Sequence, residues 1–463
     1  MMLTMRDSLI TLMLVVVCIL GAITIHVSMF YGFVTAIALL LIFFKKKGFS
    51  VRNLTQGAMI AVRGCTGVYL VILLMGASIA TWIASGVIPA IIYYGLDWFS
   101  AETFLVSAFL ITAVVSLIMG TGLGTLSTIG IALLGIGSGF EFPPAMILGA
   151  ILSGSYLSDK LSPVGGLVNL QLGVARLSFK TYAKEAMKTT VPVVLTCILL
   201  YSLLGKGAGA ESAAGGVEAL RAALASKYVM SPLLFAIPAV LIVMTFKGFK
   251  VYVGMAACIL LGGAVAIVVQ GLAIQELLGY LATGYRIPVA ESEVLSSLLK
   301  GGGVIPMLEV LLIVICAVAF SGLLERTGAL APMIRRLIRE TDSPVQLTLK
   351  TALLSVLFLS VSCDQTLAIL LPVKSLHKDF ERRGLSMAYL VRTISDSGVI
   401  LAPLQFWNVN TIIIVGLTGM GPGLYAKYSF LIYLFPVFTV LYALLRANKI
   451  GHNSKGDQYD TAV

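Results

Sequence analysis

Three carboxylates sit beside polar breaks in otherwise apolar stretches: Asp159, Asp364 and Asp396. Near the first lie Gly120-Thr121-Gly122-Leu123-Gly124-Thr125, then Ser158-Asp159-Lys160-Leu161-Ser162-Pro163 and Asn169. A similar arrangement recurs in the second half: Ser362-Cys363-Asp364-Gln365-Thr366, then Ser395-Asp396-Ser397-Gly398, Pro403 and Trp407-Asn408. A carboxylate at the centre of a bilayer costs on the order of 3 kcal/mol. A bound cation, a proton or a half-helix end offsets that cost. Hard cations prefer oxygen. The hydroxyls of Thr121, Thr125, Ser162, Thr366, Ser395 and Ser397, the amides of Asn169, Asn408 and Gln365, and freed carbonyls supply it. Asp364, Asp396 and Asn408 are the set expected to hold sodium. Half-helix C-termini favour cations and N-termini favour anions.

Each of these residues also has a structural reading. Ser and Thr in apolar helices often bond back to the preceding turn. Asp159 beside Lys160 fits a mutual ion pair, and Asp379 with Arg382 and Arg383 fits a solvated loop face. Glu309 fits a side chain snorkelling outward, and Glu325 with Arg326 a pair at a helix end. Trp407 lies deeper than an interfacial belt; it either walls a cavity or packs in the core. Arg392 and Lys160 could instead meet a substrate carboxylate. No nucleophile–base pair or metal-ligand cluster is present, and the glycine runs lack the Gly-Lys-Ser/Thr of a phosphate loop. Enzymes fit poorly.

These residues must be positioned inside a membrane. Hydrophobic residues make up 59% of the 463 and charged ones 11%, against roughly 25% charged in a soluble chain. Mean hydropathy is +1.01, and many segments exceed the roughly 20 apolar residues that span hydrocarbon. The first, from Ser8 to about Met29, reads as a retained helix, because it lacks a small-residue cleavage site and runs into a second apolar stretch. The net charge of +11 lies in short loops, which is the positive-inside pattern and not a nucleic-acid surface. Six cysteines lie within apolar runs without paired spacing, and three histidines are scattered. Only Cys363, in a break, has a functional claim.

Basic clusters set the topology. Lys45-Lys46-Lys47 and Arg52 place the N-terminus and first loop inside, and Arg446 and Lys449 place the C-terminus inside. The stretch from Ala101 to Phe140 has acidic flanks without Lys or Arg, so both ends read as external. Pro344 to Leu376 has basic flanks, so both of its ends read as internal. The expected fold is an all-α polytopic membrane protein, an inverted repeat of two units. Each unit has a re-entrant hairpin and a broken transmembrane helix, with about ten crossings plus two hairpins in total. Residues 1–62 form an N-terminal helical pair and interfacial segment, 63–205 repeat 1, and 206–303 a linker and helical pair. Residues 304–446 form inverted repeat 2, and 447–463 a cytoplasmic tail. Broken helices in matching halves point to a transporter's central site.

At these residues the chain resembles the NhaC-type sodium/proton antiporters, which include malate/lactate-exchanging members. The resemblance runs from about Thr55 to Leu445. It rests on Trp82-Ile83-Ala84-Ser85-Gly86-Val87, Thr128-Ile129-Gly130-Ile131-Ala132-Leu133, Asp159-Lys160-Leu161-Ser162-Pro163 and Gly322-Leu323-Leu324-Glu325. Asp364-Gln365, Arg392-Thr393, Asp396-Ser397-Gly398, Pro403-Leu404 and Trp407-Asn408 complete it. It implies a gradient-driven antiporter of the wider ion-transporter superfamily, whose members often work as homodimers. The chain departs from the family after the first Ser-Pro. Where the family typically reads Leu-Ser-Asp-Thr-Thr-Asn, Val164, Gly165, Gly166, Leu167, Val168 and Asn169 stand here, and Gly122 replaces a common Ser. A sodium site built on that half would lose its charge. Either coupling rests on the second half, or the first holds an organic substrate against glycine amides.

The expected function is sodium/proton exchange across the cytoplasmic (inner) membrane, with Asp396 and Asp364 first, then Asp159, handling the cation. The alternative is sodium- or proton-coupled antiport of organic anions or amino acids; the third reading is a passive channel. Sodium or the proton is the coupling ion, no cofactor is needed, and the partners are membrane lipid and a small cation or organic anion, without nucleic acid.

Overall fold

A computed structural model describes residues 3–25, 27–206, 210–287 and 299–456. Among them the chain is helical throughout, with one isolated bridge between Tyr285 and Gly301. Ten helices are long and apolar enough to cross a membrane, or up to twelve if each bent pair is one span. Helices suit this setting because they satisfy their own backbone groups where water is absent. Phe179–Lys206 shows the resulting division of faces. Leu195, Leu199 and Leu203 are about 60% exposed (61%, 59% and 58%), a stripe suited to lipid. Tyr182, Thr189, Val193 and Tyr201 are buried on the opposite face.

Two hairpins carry the first pair of breaks. In the first, Ala101–Met119 ends at Gly120 (φ 74°), Thr121 is extended, and the chain turns into Gly122–Thr125, a π-turn at Leu126–Gly130 and Ile131–Gly139. In the second, Pro344–Ser362 ends at Cys363 (φ 60°), Asp364 is extended, and Gln365–Glu381 follows. Thr121 and Asp364 each cap the second limb with their side chains. Left-handed backbone is easy at Gly120 and costs roughly 1–2 kcal/mol at Cys363. Both hairpins double back. Phe104 lies against Phe140 at 5.5 Å and is the first atom a Cβ on Gly137 would meet. In the second, Ser355 Oγ donates to the Ala368 carbonyl at 3.0 Å. That carbonyl is four residues before Pro372, which has no N–H to give it. At its base, Arg383 donates to the carbonyls of Arg339, Glu340, Asp342 and Asp379. Nineteen residues per first limb is about 28 Å of helix, close to the ~30 Å of hydrocarbon.

The broken helices supply the other two breaks. Pro144–Ser155 gives way to a turn, the short Ser158–Leu161 helix, an extended stretch and Gly166–Ala175. Met387–Ile394 runs into a π-turn at Ser395–Val399, a 3-10 turn at Ala402–Leu404 and then Val409–Thr418. All four breaks converge. A Cβ on Gly120 would meet Val164 and Gly165, and one on Gly122 would meet the Ser155 carbonyl at 3.0 Å. The Val409 N–H donates to the Cys363 carbonyl at 3.0 Å, and Gln365 Nε2 to that of Val399 at 2.8 Å.

Val51–Gly64, in the stretch before Arg63 that reads as interfacial, is a helix that continues past Cys65 into Thr66–Ala84. It lies along Val304–Thr327: Arg326 Nη2 donates to Asn53 Oδ1 at 2.8 Å and the Gly303 N–H to the Gly76 carbonyl at 2.7 Å. Gly57 and Gly322 let the two backbones approach. Arg326 therefore pairs with Asn53 and not, as expected, with Glu325. The linker contains Ala210–Lys227, Ala236–Phe246, Val251–Val268 and Ile274–Thr283. Of the expected tail, residues 457–463 lie outside the described residues.

Candidate functional site

Asp159 sits where the first hairpin, the first broken helix and the second hairpin meet, and is 8% exposed. Its Oδ2 accepts from Gln365 Nε2 at 3.3 Å and its Oδ1 from Ser158 Oγ at 3.4 Å. Gln365 Oε1 accepts from Asn410 Nδ2 (3.1 Å), which is shared with Asn408 Oδ1 (3.0 Å), and Tyr156 Oη donates to Asn410 Oδ1 at 3.1 Å. The result is a buried carboxylate surrounded by amides and hydroxyls. No lysine or arginine forms an ion pair with it among the described residues. Ser155 Oγ, one helical turn before Asp159, and Asn408 Nδ2 are buried without a hydrogen-bond partner.

The expected Asp159–Lys160 pair is not formed. Adjacent residues on a helix face different ways, so Lys160 turns from Asp159 to the second half and forms an ion pair with Asp396. Both side chains have 0% exposure. Lys160 Nζ also donates to Thr189 Oγ1 at 3.2 Å and lies 4.0 Å over the Phe435 ring. Asp396 Oδ2 accepts from Thr189 at 2.9 Å and Thr439 at 2.8 Å. Tyr182 Oη links the two breaks, donating to the Lys160 carbonyl (2.9 Å) and accepting from Ser395 Oγ (3.1 Å). Arg392, one turn before Asp396, puts Nε 3.7 Å from Asp396 Oδ2 and Nη1 3.2 Å from Glu185 Oε1.

The remaining expected residues divide between scaffold and site. Asp364 is half-buried and caps the Thr366 N–H at 3.0 Å. Asp364, Asp396 and Asn408 each have partners of their own, and among the described residues no group of three or more His, Cys, Asp or Glu is placed to hold a metal. Thr125 and Ser397 bond back to the preceding turn, as does exposed Asn169. Thr121 caps the Gly124 N–H, and Ser162 Oγ donates to the Leu117 carbonyl. Trp407 Nε1 donates to the Ser360 carbonyl at 2.7 Å, bracing the second hairpin. The Val164–Asn169 stretch faces outward at Val164 (59% exposed), and a Cβ on Gly166 would meet nothing. Gly165 and Val168 in the same stretch are buried, and a Cβ on Gly165 would lie 3.2 Å from the Ser158 carbonyl. Sequence reasoning missed Glu185, Thr189, Thr439, Tyr182, Tyr156 and Asn410. The Asn-Val-Asn spacing at 408–410 was the signal available for the last.

Breaks from four segments meeting around buried carboxylates define a polytopic membrane transport protein. The chain belongs to the Na+/H+ antiporter family, whose model matches residues 154–446. It is 28% identical over 81% of its length to the Na(+)/H(+) antiporter NhaC of Alkalihalophilus pseudofirmus, covering 81% of that protein. It is also 28% identical to the malate-2H(+)/Na(+)-lactate antiporter of Bacillus subtilis, over 85% of this chain and 84% of the relative. The arginine/ornithine antiporter ArcD of Halobacterium salinarum is again 28% identical, over 81% and 78%. These relatives are antiporters, not enzymes, and the protein is a multi-pass transporter of the cell membrane.

Proposed function

We propose that this antiporter exchanges sodium for protons across the cytoplasmic membrane, with both termini inside and two units of opposite orientation meeting at Asp159. The observation that carries the reading is a buried carboxylate without a cationic partner among the described residues. An isolated buried charge is costly enough that the group takes up a counter-ion or a proton. The hydroxyl oxygens of Ser158 and Ser155 supply neutral ligands beside it, as a monovalent hard cation prefers. Sodium and the proton satisfy the same carboxylate and so exclude one another. Alternating exposure of that carboxylate then yields exchange. Asp396, already neutralised by Lys160, holds the two halves together in this reading and does not bind the ion first.

A second reading has one observation in its favour. The Asn408 Nδ2 donor is buried with no acceptor beside the same cluster, which suits an organic carboxylate, and two relatives are named for organic substrates. Proteoliposomes separate the readings. A sodium gradient alone drives an internal pH change under the first; under the second, the change requires a dicarboxylate, lactate or basic amino acid in the medium.

A further inference from the structure

Five charges of alternating sign run from the surface to the core: Lys188, Glu185, Arg392, Asp396 and Lys160. Glu185 Oε2 lies 2.5 Å from Lys188 Nζ, and its Oε1 lies 3.2 Å from Arg392 Nη1. Side-chain exposure falls along the series from 42% at Lys188 to 11% at Glu185 and 0% at Arg392 and Asp396. The guanidinium is sandwiched, 4.4 Å over the Tyr389 ring and 4.2 Å over that of Tyr442. Its Nε and Nη2 donate no hydrogen bond although they are buried. Arg392 is thus held by one carboxylate hydrogen bond to Glu185, a longer ion-pair contact to Asp396 and two ring faces, with unused donors. A group so placed can move when that bond is released.

We propose that Glu185 and Arg392 form the gate between the exchange site and the Lys188 face. Glu185 holds the guanidinium as a plug between Tyr389 and Tyr442. The Lys188 face also carries Lys180 and Lys184, and is cytoplasmic by the positive-inside pattern. Behind the plug, Thr189 stands one helical turn deeper than Glu185 on the same helix and touches both Lys160 and Asp396. Opening therefore exposes Thr189 first, then the Lys160–Asp396 pair, with Asp159 one residue beyond on the short Ser158–Leu161 helix. Glu185 and Arg392 position the path and take no part in holding the ion. What passes the gate rests on the Asp159 reading; the gate itself does not.

Thr189→Cys in the full-length protein is the reporter. Its rate of modification by a small, water-soluble methanethiosulfonate is read at the peptide level, so the native cysteines do not interfere. The gate predicts slow labelling of Thr189→Cys alone, at least tenfold faster labelling with added Glu185→Gln, and slow labelling again with Glu185→Asp. Arg392→Lys keeps the charge but loses the planar group stacked between the rings, and it too speeds labelling. If Glu185→Gln does not survive extraction, Arg392→Lys decides. Equal rates in the presence and absence of these changes overturn the gate. Exchange that persists in Asp159→Asn would overturn the site assignment and leave these labelling ratios unaltered.

Discussion

Lys160 of the first half and Asp396 of the second form an ion pair in which neither side chain has exposed surface. Two helices that break in different halves of the chain are joined by it at depth. Removing one partner leaves the other charge buried and alone, which costs about 3–5 kcal/mol. Lys160→Met and Asp396→Asn should each lower the melting temperature of the extracted protein sharply. The double variant, with no charge left unpaired, should recover most of the loss. Additive losses in the double variant would show that the two groups do not stabilise each other.

The second hairpin is held against the second broken helix by a contact that only glycine permits. A Cβ on Gly398 would lie 1.9 Å from Ser355 Oγ and 2.8 Å from its Cβ. The same hydroxyl satisfies the Ala368 carbonyl left open by Pro372. Gly398→Ala should cost about 1–3 kcal/mol, and Ser355→Gly in the same chain should return part of it. Thermal stability unchanged in Gly398→Ala would mean that the hairpin moves aside freely.

Asn410 links Gln365, Asn408 and Tyr156, and so orders the amides around Asp159. Asn410→Ala removes these bonds while leaving the carboxylate. One hydrogen bond of about 1 kcal/mol corresponds to several-fold in affinity. The sodium KM of exchange should rise about tenfold, and the maximal rate should stay within about twofold. A fall in maximal rate at constant KM would place Asn410 in the conformational step.

At the base of the second hairpin, burial acts to raise the Asp342 carboxyl, but the Arg339 N–H and the Lys350 ammonium outweigh it and hold it below the ordinary 3.8. Lys350 Nζ is 2.6 Å away. A depressed value stabilises the folded state above the unfolded value, and that contribution is lost as pH falls through the folded one. Hydrogen exchange at residues 339–350 should therefore quicken below about pH 4. Asp342→Asn should exchange faster at neutral pH and show little further change on acidification. An acid response as large in the variant as in the parent would assign it to other groups.

The polar breaks were legible in sequence because an apolar helix has no other reason to carry Gly120-Thr121 or Cys363-Asp364. The helices followed from their length and hydropathy. The partners of each charge were not legible. Glu185 lies between Lys184 and Lys188 and reads as part of a solvated face. Packing against Arg392, distant in sequence, is what buries it. Thr189 and Thr439 resemble any helical hydroxyl until their helices converge on Asp396. The direction in which Lys160 points depends on tertiary contacts, so proximity to Asp159 misled. Local bonding likewise ties the Asn169 Nδ2 and the Ser397 hydroxyl to the preceding turn.

Competition between sodium and a proton at Asp159 is tested most directly by proton release. Adding sodium to the extracted protein in unbuffered detergent solution should liberate a proton for each sodium bound. Asp159→Asn should bind and release neither, and Asn410→Ala should retain release with weaker sodium dependence. Full proton release from folded Asp159→Asn would contradict the assignment.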